Sequence, residues 1–183
     1  MIESIKHYFY MIICLMLLEG CDQTTGKSSI KISDQTKKEA TTALEKFAKI
    51  RTSIPADPKA YLDLFAKDDR FMIGGDDGFT TNYQVFYDKV LKNPENLNPK
   101  WVTQFDFKFR DLNITQIDTK NLLFITYFDE FVKSKSGDTL NLKNNVIHGS
   151  LTKIKGEWKI LTMLYSHNAG DEKLSNDFDA RND

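Results

Sequence analysis

Between Asn145 and Asn168 the chain reads NVIHGSLTKIKGEWKILTMLYSHN, two runs of β-type patterning joined at Lys155-Gly156-Glu157. In the first run Leu151 and Ile154 stand among small polar residues. In the second, Trp158, Ile160, Thr162 and Leu164 fall on one face and Leu161, Met163 and Tyr165 on the other, so both faces are expected to be covered. Gly156 suits a hairpin turn that needs positive φ, and its charged neighbours keep the tip in water. A strand apolar on both sides predicts a central place in a sheet, with earlier elements packed against it.

The pattern before that stretch is helical first and β afterwards. Ala40, Ala43, Leu44, Phe47 and Ile50 recur at three- and four-residue spacing, which predicts a helix from Asp34 with one apolar stripe. A second short helix is expected from Asp57-Pro58, where the carboxylate can cap free amides and proline fits the first turn; Tyr61, Leu64 and Phe65 form its stripe. Arg70 to Ile73 reads as a short strand ended by Gly74-Gly75 and the Asp76-Asp77-Gly78 turn. A third helix from about Thr81 buries Tyr83, Phe86, Tyr87, Val90 and Leu91 and stops before Pro94.

Past the loop 93–100, Phe105, Phe107 and Phe109 alternate with Asp106, Lys108 and Arg110, giving a strand with one buried and one wet face. Leu112, Ile114 and Ile117 shift parity, which predicts a bulge or a strand end near Asp111. Further strands are expected over Leu122 to Val132, Leu140 to Ile154 and Trp158 to Ser166, and a loose polar tail from Gly170. Helix, helix, short strand, helix, then four long antiparallel strands is an α+β layout with the helices gathered on one face of a curved sheet.

At 183 residues with 40% hydrophobic content, the chain is long enough for one good core. Its start has another character. Lys6 and His7 precede an apolar run from Tyr8 to Leu18, and Leu18-Glu19-Gly20-Cys21 resembles the lipobox of a bacterial lipoprotein, in which the cysteine is acylated and becomes the mature N-terminus. Residues 1–20 are thus expected to be a signal peptide and 21–33 a flexible tether to the membrane of a bacterial cell envelope; an uncleaved anchor and a buried N-terminal helix are the alternatives. The domain itself is expected over 34–168 and the tail over 169–183. Cleavage would remove Glu3, Lys6 and Glu19, taking 25 basic and 26 acidic side chains to 24 and 24. A chain so near neutrality has no overall positive field to collect nucleic acid. Cys14 lies in the leader and Cys21 would carry lipid, so the mature domain has no thiol for a disulfide, a metal or nucleophilic chemistry.

The element order, with Gly156-Glu157-Trp158-Lys159-Ile160 and Ser166 near the end, resembles the NTF2-like superfamily over residues 34–168, in particular its SnoaL-like and DUF4440 branch and the association domain of calcium/calmodulin-dependent kinase. In that branch a Gly-x-Trp-Lys-Ile turn and strand commonly leads to a His-x-His-x-Ser ending; Ser166 matches the serine, while Thr162 and Leu164 occupy the histidine positions. The resemblance implies a conical half-barrel with a pocket between sheet and helices, often dimeric through the sheet. It leaves activity open, since isomerases, cyclases, dehydratases and non-catalytic domains share it.

Among candidate site residues, His148 has a reference pKa near 6.5 that suits a general base if Val146, His148 and Ser150 face the cone; a half-exposed strand histidine is the plainer reading. His167 is read as a solvated rim residue, Asp106 as an outward sheet residue, and Asp76-Asp77 as a local amide cap. Tyr61, Tyr127 and Tyr165 offer pocket hydroxyls or plain core packing. Asn113-Ile114-Thr115 matches a glycosylation sequon by chance. The expected pocket is walled by Phe105, Phe107 and Phe109 and carries Tyr61, Tyr127 and His148 as its polar groups. No cofactor and no metal are expected. The leading expectation is a tethered domain that binds a small apolar ligand or serves as an accessory module; an enzyme with His148 as base and a homodimerising module are the alternatives.

Overall fold

The structure, a computed structural model, describes residues 31–75, 78–168 and 177–178. The leader, Cys21 and the turn residues Asp76 and Asp77 lie outside the described residues. Among the described residues, no helix is long and apolar enough to cross a membrane.

Helix α1, Asp34–Arg51, begins at Ser33, whose Oγ accepts from the Thr36 amide at 3.1 Å. Asp34 in its first turn and Lys49 and Arg51 in its last complement the helix dipole. Ala40, Leu44 and Phe47 form the stripe it buries. Helix α2, Pro58–Leu62, is held by Asp57, whose carboxylate accepts from the Lys59 and Ala60 amides at 2.9 and 3.1 Å. Helix α3, Tyr83–Lys92, is capped in the same way by Asn82. It buries Phe86 and Val90, whereas Leu91 turns to solvent instead of joining the stripe.

Six strands form one sheet in the order β2-β1-β6-β5-β4-β3. The long strands β3 (Val102–Gln116), β4 (Asn121–Ser134), β5 (Thr139–Ile154) and β6 (Glu157–Ser166) are antiparallel neighbours. Short β1 (Met72–Gly75) runs parallel to β6 and pairs with β2 (Gly78–Thr80), so Gly74 and Gly75 belong to the strand, as its last two residues. A Cβ on Gly74 would sit 2.4 Å from the Gly78 carbonyl oxygen, so this hairpin closes only on glycine.

Bulges curve the sheet. Asp111, at φ 52°, takes up the register shift in β3 between Arg110 and Asn113; Asn144, at φ 60°, lies beside the shift between β4 and β5. Arg110 ties the two together, donating from Nη2 to Asp129 at 3.0 Å and to Asn144 Oδ1 at 2.5 Å. A third irregularity, opposite Ser150 and Leu151, makes Leu161 the extra residue of β6. It resets the parity: Trp158, Ile160 and Met163 join one core, while Thr162 pairs with Ser150 on the other face. The expected grouping of Trp158 and Ile160 with Thr162 and Leu164 is thereby corrected. The bulge is possible because Gly149 has no side chain: a Cβ there would meet the Thr162 carbonyl oxygen at 2.0 Å.

The core lies between the sheet's concave face and the helices. Phe47 of α1 packs against Phe107 and Phe109 with ring centroids 5.9 and 6.3 Å away, and against Tyr61 and Phe65 at 5.8 and 6.3 Å. At the other end of α1, Glu39 accepts from Lys153 Nζ at 3.0 Å and Trp158 Nε1 at 3.2 Å, near the β5–β6 turn. The tail is not loose throughout. Phe178 is 1% exposed and packs with Leu140 and Leu142 in a small cluster apart from the main core.

Candidate functional site

The inward row of β5 is Asn145, Ile147, Gly149 and Leu151, all buried. His148 therefore stands on the opposite, convex face, exposed and paired with Ile125 and Leu164. Tyr127 is on that same face, 46% exposed. Neither reaches the cone, and the expectation that they supply its polar groups is corrected. The inward row disguises itself with a polar residue and a glycine, while β4 is apolar on both faces, so parity alone favoured the wrong side. The other expected residues are inside: Phe105 and Phe107 are buried, Phe109 is partly buried against them, and Tyr61 is buried.

The inner polar groups gather at the end of α1 away from the β5–β6 turn. Arg51, in the last turn of α1, lies with Cζ 4.9 Å from the Phe105 ring centroid and donates from Nη1 to the Leu97 carbonyl. Glu130 follows Phe124 and Phe128 in the unbroken inward alternation of β4 and stands opposite Phe107 and Leu142, the extra residue of the nearby register shift lying in β5. Its carboxylate lies 3.7 Å from His167 Nε2, and the His167 ring packs edge-on to Phe128 at 5.7 Å. Tyr165, after the Leu161 bulge, points inward and donates to Met163 Sδ at 3.2 Å. Burial pushes the Tyr165 phenol well above its ordinary range; the neighbouring Tyr61 and the Glu130 charge push the same way and Arg51 opposes them. Burial raises Tyr61 too, against the same guanidinium. Two phenols, a guanidinium, a carboxylate and an imidazole thus share one region of low polarity, able to orient a ligand's polar group.

Two clefts open beside this cluster, and Leu97 lines both. The larger, of about 360 Å³, lies between α3 and the β1–β2 hairpin, with Tyr61, Ile73, Phe86 and Val90 as apolar wall and Lys89 and Asn93 as polar groups. The smaller, of about 200 Å³, holds Arg51 and Glu130 between Trp101, Phe105, Val132 and Leu140. Among the described residues no three His, Cys, Asp or Glu side chains gather as a metal ion would require.

Arg51 and Glu130 are not singled out by the sequence, Tyr165 is one of the expected pocket hydroxyls, and His167, expected as a solvated rim residue, instead faces Glu130 and Phe128. The signal that could have found Glu130 is its shared parity with Phe124, Phe128 and Val132 along β4. Tyr165 and His167 depend on the bulge at Leu161, which no residue pattern announces.

No protein-family model matches the sequence, and no curated protein matches it. Solved structures do match in fold. A nuclear transport factor 2 (NTF2-like) superfamily protein from Salmonella enterica superposes with a TM-score of 0.60 at 14% identity, over 75% of this chain and 94% of that one. An NTF-2 like protein of unknown function from Shewanella oneidensis gives 0.52 at 17% identity, over 71% and 98%. A hexachlorocyclohexane dehydrochlorinase gives 0.57 at 10% identity, over 74% and 90%. The chain has the NTF2-like fold, as its element order implied.

Proposed function

Starting from an NTF2-like fold, we propose that this domain binds a small, mainly apolar molecule in the cleft between α3 and the β1–β2 hairpin, as a binding or accessory module without catalysis. The observation that carries the reading is the cleft itself: about 360 Å³, apolar along Tyr61, Ile73, Phe86 and Val90, with Lys89 and Asn93 to fix a polar end. Native mass spectrometry of the domain purified from its own host is expected to show a retained small molecule. Phe79, at the cleft edge and largely exposed, can be cut to alanine at little cost to the fold. Phe79→Ala and Lys89→Ala should each lose the retained mass while keeping the denaturation midpoint; retention by both variants would place the ligand elsewhere.

A second reading, a proton-transferring enzyme of the SnoaL-like kind, no longer has His148 as its base. Its support is the meeting of Glu130, His167, Tyr61 and Tyr165 inside the cone. Turnover of a substrate that survives His148→Ala and is lost in Glu130→Gln would favour it over simple binding.

Two features of the setting belong to the same proposal. Cys21 carries lipid and holds the domain at the membrane of a bacterial cell envelope; Cys21→Ser should release the protein from membranes and end fatty-acid labelling. The convex sheet face builds a homodimer, supported by Leu123, Ile125 and Tyr127, which are 48, 52 and 46% exposed in one row of β4.

A further inference from the structure

The tail from Gly170 reads GDEKLSNDFDARND, and its one aromatic residue, Phe178, is almost wholly buried. The ring lies 5.5 Å from that of Trp101, tilted at 66°, and packs with Leu140 and Leu142. Trp101, Val132 and Leu140 have a second duty, because they also wall the cleft that holds Arg51 and Glu130. The seat of Phe178 and that cleft are therefore parts of one recess. Its charges are not alike in engagement: Glu130 faces His167, while no carboxylate among the described residues lies within ion-pair distance of Arg51. The residue that fills the apolar part follows the exposed Asp177, so the aromatic ring seated in this recess has a carboxylate next to it in the chain.

We propose that Phe178 is a built-in occupant of this recess, competing with an aromatic anion that places its ring against Trp101 and Leu140 and its charge toward Arg51. The site is separate from the α3 cleft in all but Leu97. A seated tail lowers the apparent affinity of such a ligand by the fraction of molecules in which the recess is free, so unseating it must tighten binding.

The probe is 8-anilinonaphthalene-1-sulfonate, titrated into the full chain by fluorescence, with energy transfer from Trp101 read in a Trp158→Phe background. Phe178→Ala is expected to bind it about tenfold more tightly, as removing a tail seated in nine molecules of ten would produce. A synthetic peptide of residues 170–183 added to Phe178→Ala should displace the dye, and the same peptide with alanine for its phenylalanine should not. Arg51→Gln in the Phe178→Ala chain should return affinity toward the parent value. Equal binding by parent and Phe178→Ala, or no binding by either, overturns the proposal. So does dye uptake indifferent to Arg51 and to the peptide, which would mark Phe178 as ordinary core whose loss loosens the fold. Phe79→Ala and Lys89→Ala should leave the dye titration unchanged, so a failure at the α3 cleft is read separately.

Discussion

Gly149 shows how one missing side chain sets a strand's geometry. The Thr162 carbonyl oxygen and the Phe124 ring both occupy space that any Cβ would need, at 2.0 and 2.9 Å. The backbone oxygen cannot swing away as a side-chain tip can. Gly149→Ala is therefore expected to cost about 2 to 3 kcal/mol, in the range of overpacked cores, read as a lowered denaturant midpoint. Asp68 illustrates a different local effect. Its carboxyl is lowered to about 2, first by the side-chain hydrogen bonds from Arg70 at 2.8 and 2.9 Å and then by the Arg70 amide. Because the folded pKa is depressed, this pair stabilises the fold above the unfolded carboxylate's pKa of about 3.9, and that contribution fades as pH falls through about 2. Arg70 is largely exposed, so the effect on stability is small. Carboxyl NMR should place the Asp68 midpoint near 2, and Arg70→Leu should return it toward the ordinary 3.8. Gly149 does not announce itself in the sequence, since its constraint comes from a strand the fold brings alongside, whereas Asp68 meets a partner two residues on in the same turn.

At the scale of elements, helices were legible and bulges were legible only in part. α1 carries a single apolar stripe and a capping serine, and α2 and α3 open on Asp57 and Asn82, so periodicity and caps agree about where each starts. In β3 the shift at Asp111 could be read because three phenylalanines alternate strictly before it and the parity changes after it. The shifts at Asn144 and Leu161 could not, because polar residues surround the first and apolar ones crowd both faces of the second. Each shift reverses which side chains of its own strand face the cone, so the one at Asn144 sends His148 to the convex face; β4 keeps its alternation, and Tyr127 and Glu130 are hard to place there because that strand is apolar on both faces. Asp111 holds a left-handed conformation that glycine adopts freely and a β-branched residue resists. Asp111→Gly should leave stability within about 0.5 kcal/mol of the parent, and Asp111→Val should lose about 1 to 2 kcal/mol. Equal midpoints for the two variants would mean that the bulge does not constrain the strand.

At the scale of the molecule, the two sheet faces divide the work. The concave face meets the helices and carries the polar cluster, and the convex face presents Leu123, Ile125 and Tyr127 to solvent beside His148. A row of that kind is a natural surface for a second copy. Ile125→Glu would bring two like charges together across a two-fold axis, so dimer mass in sedimentation should give way to monomer while the circular dichroism spectrum is kept. A monomeric parent would remove the dimer.

Helix α1 connects the two ends of this architecture. Glu39 meets Lys153 and Trp158 near the β5–β6 turn, and Arg51 meets Leu97 and Phe105 beside the clefts. At about 1.5 Å per residue the two positions lie roughly 18 Å apart along the helix axis. The chain enters α1 at the Glu39 end, so the segment before Asp34 joins the domain at the end away from the Arg51 cluster, and a change in the length of that segment should leave binding beside Arg51 unaltered.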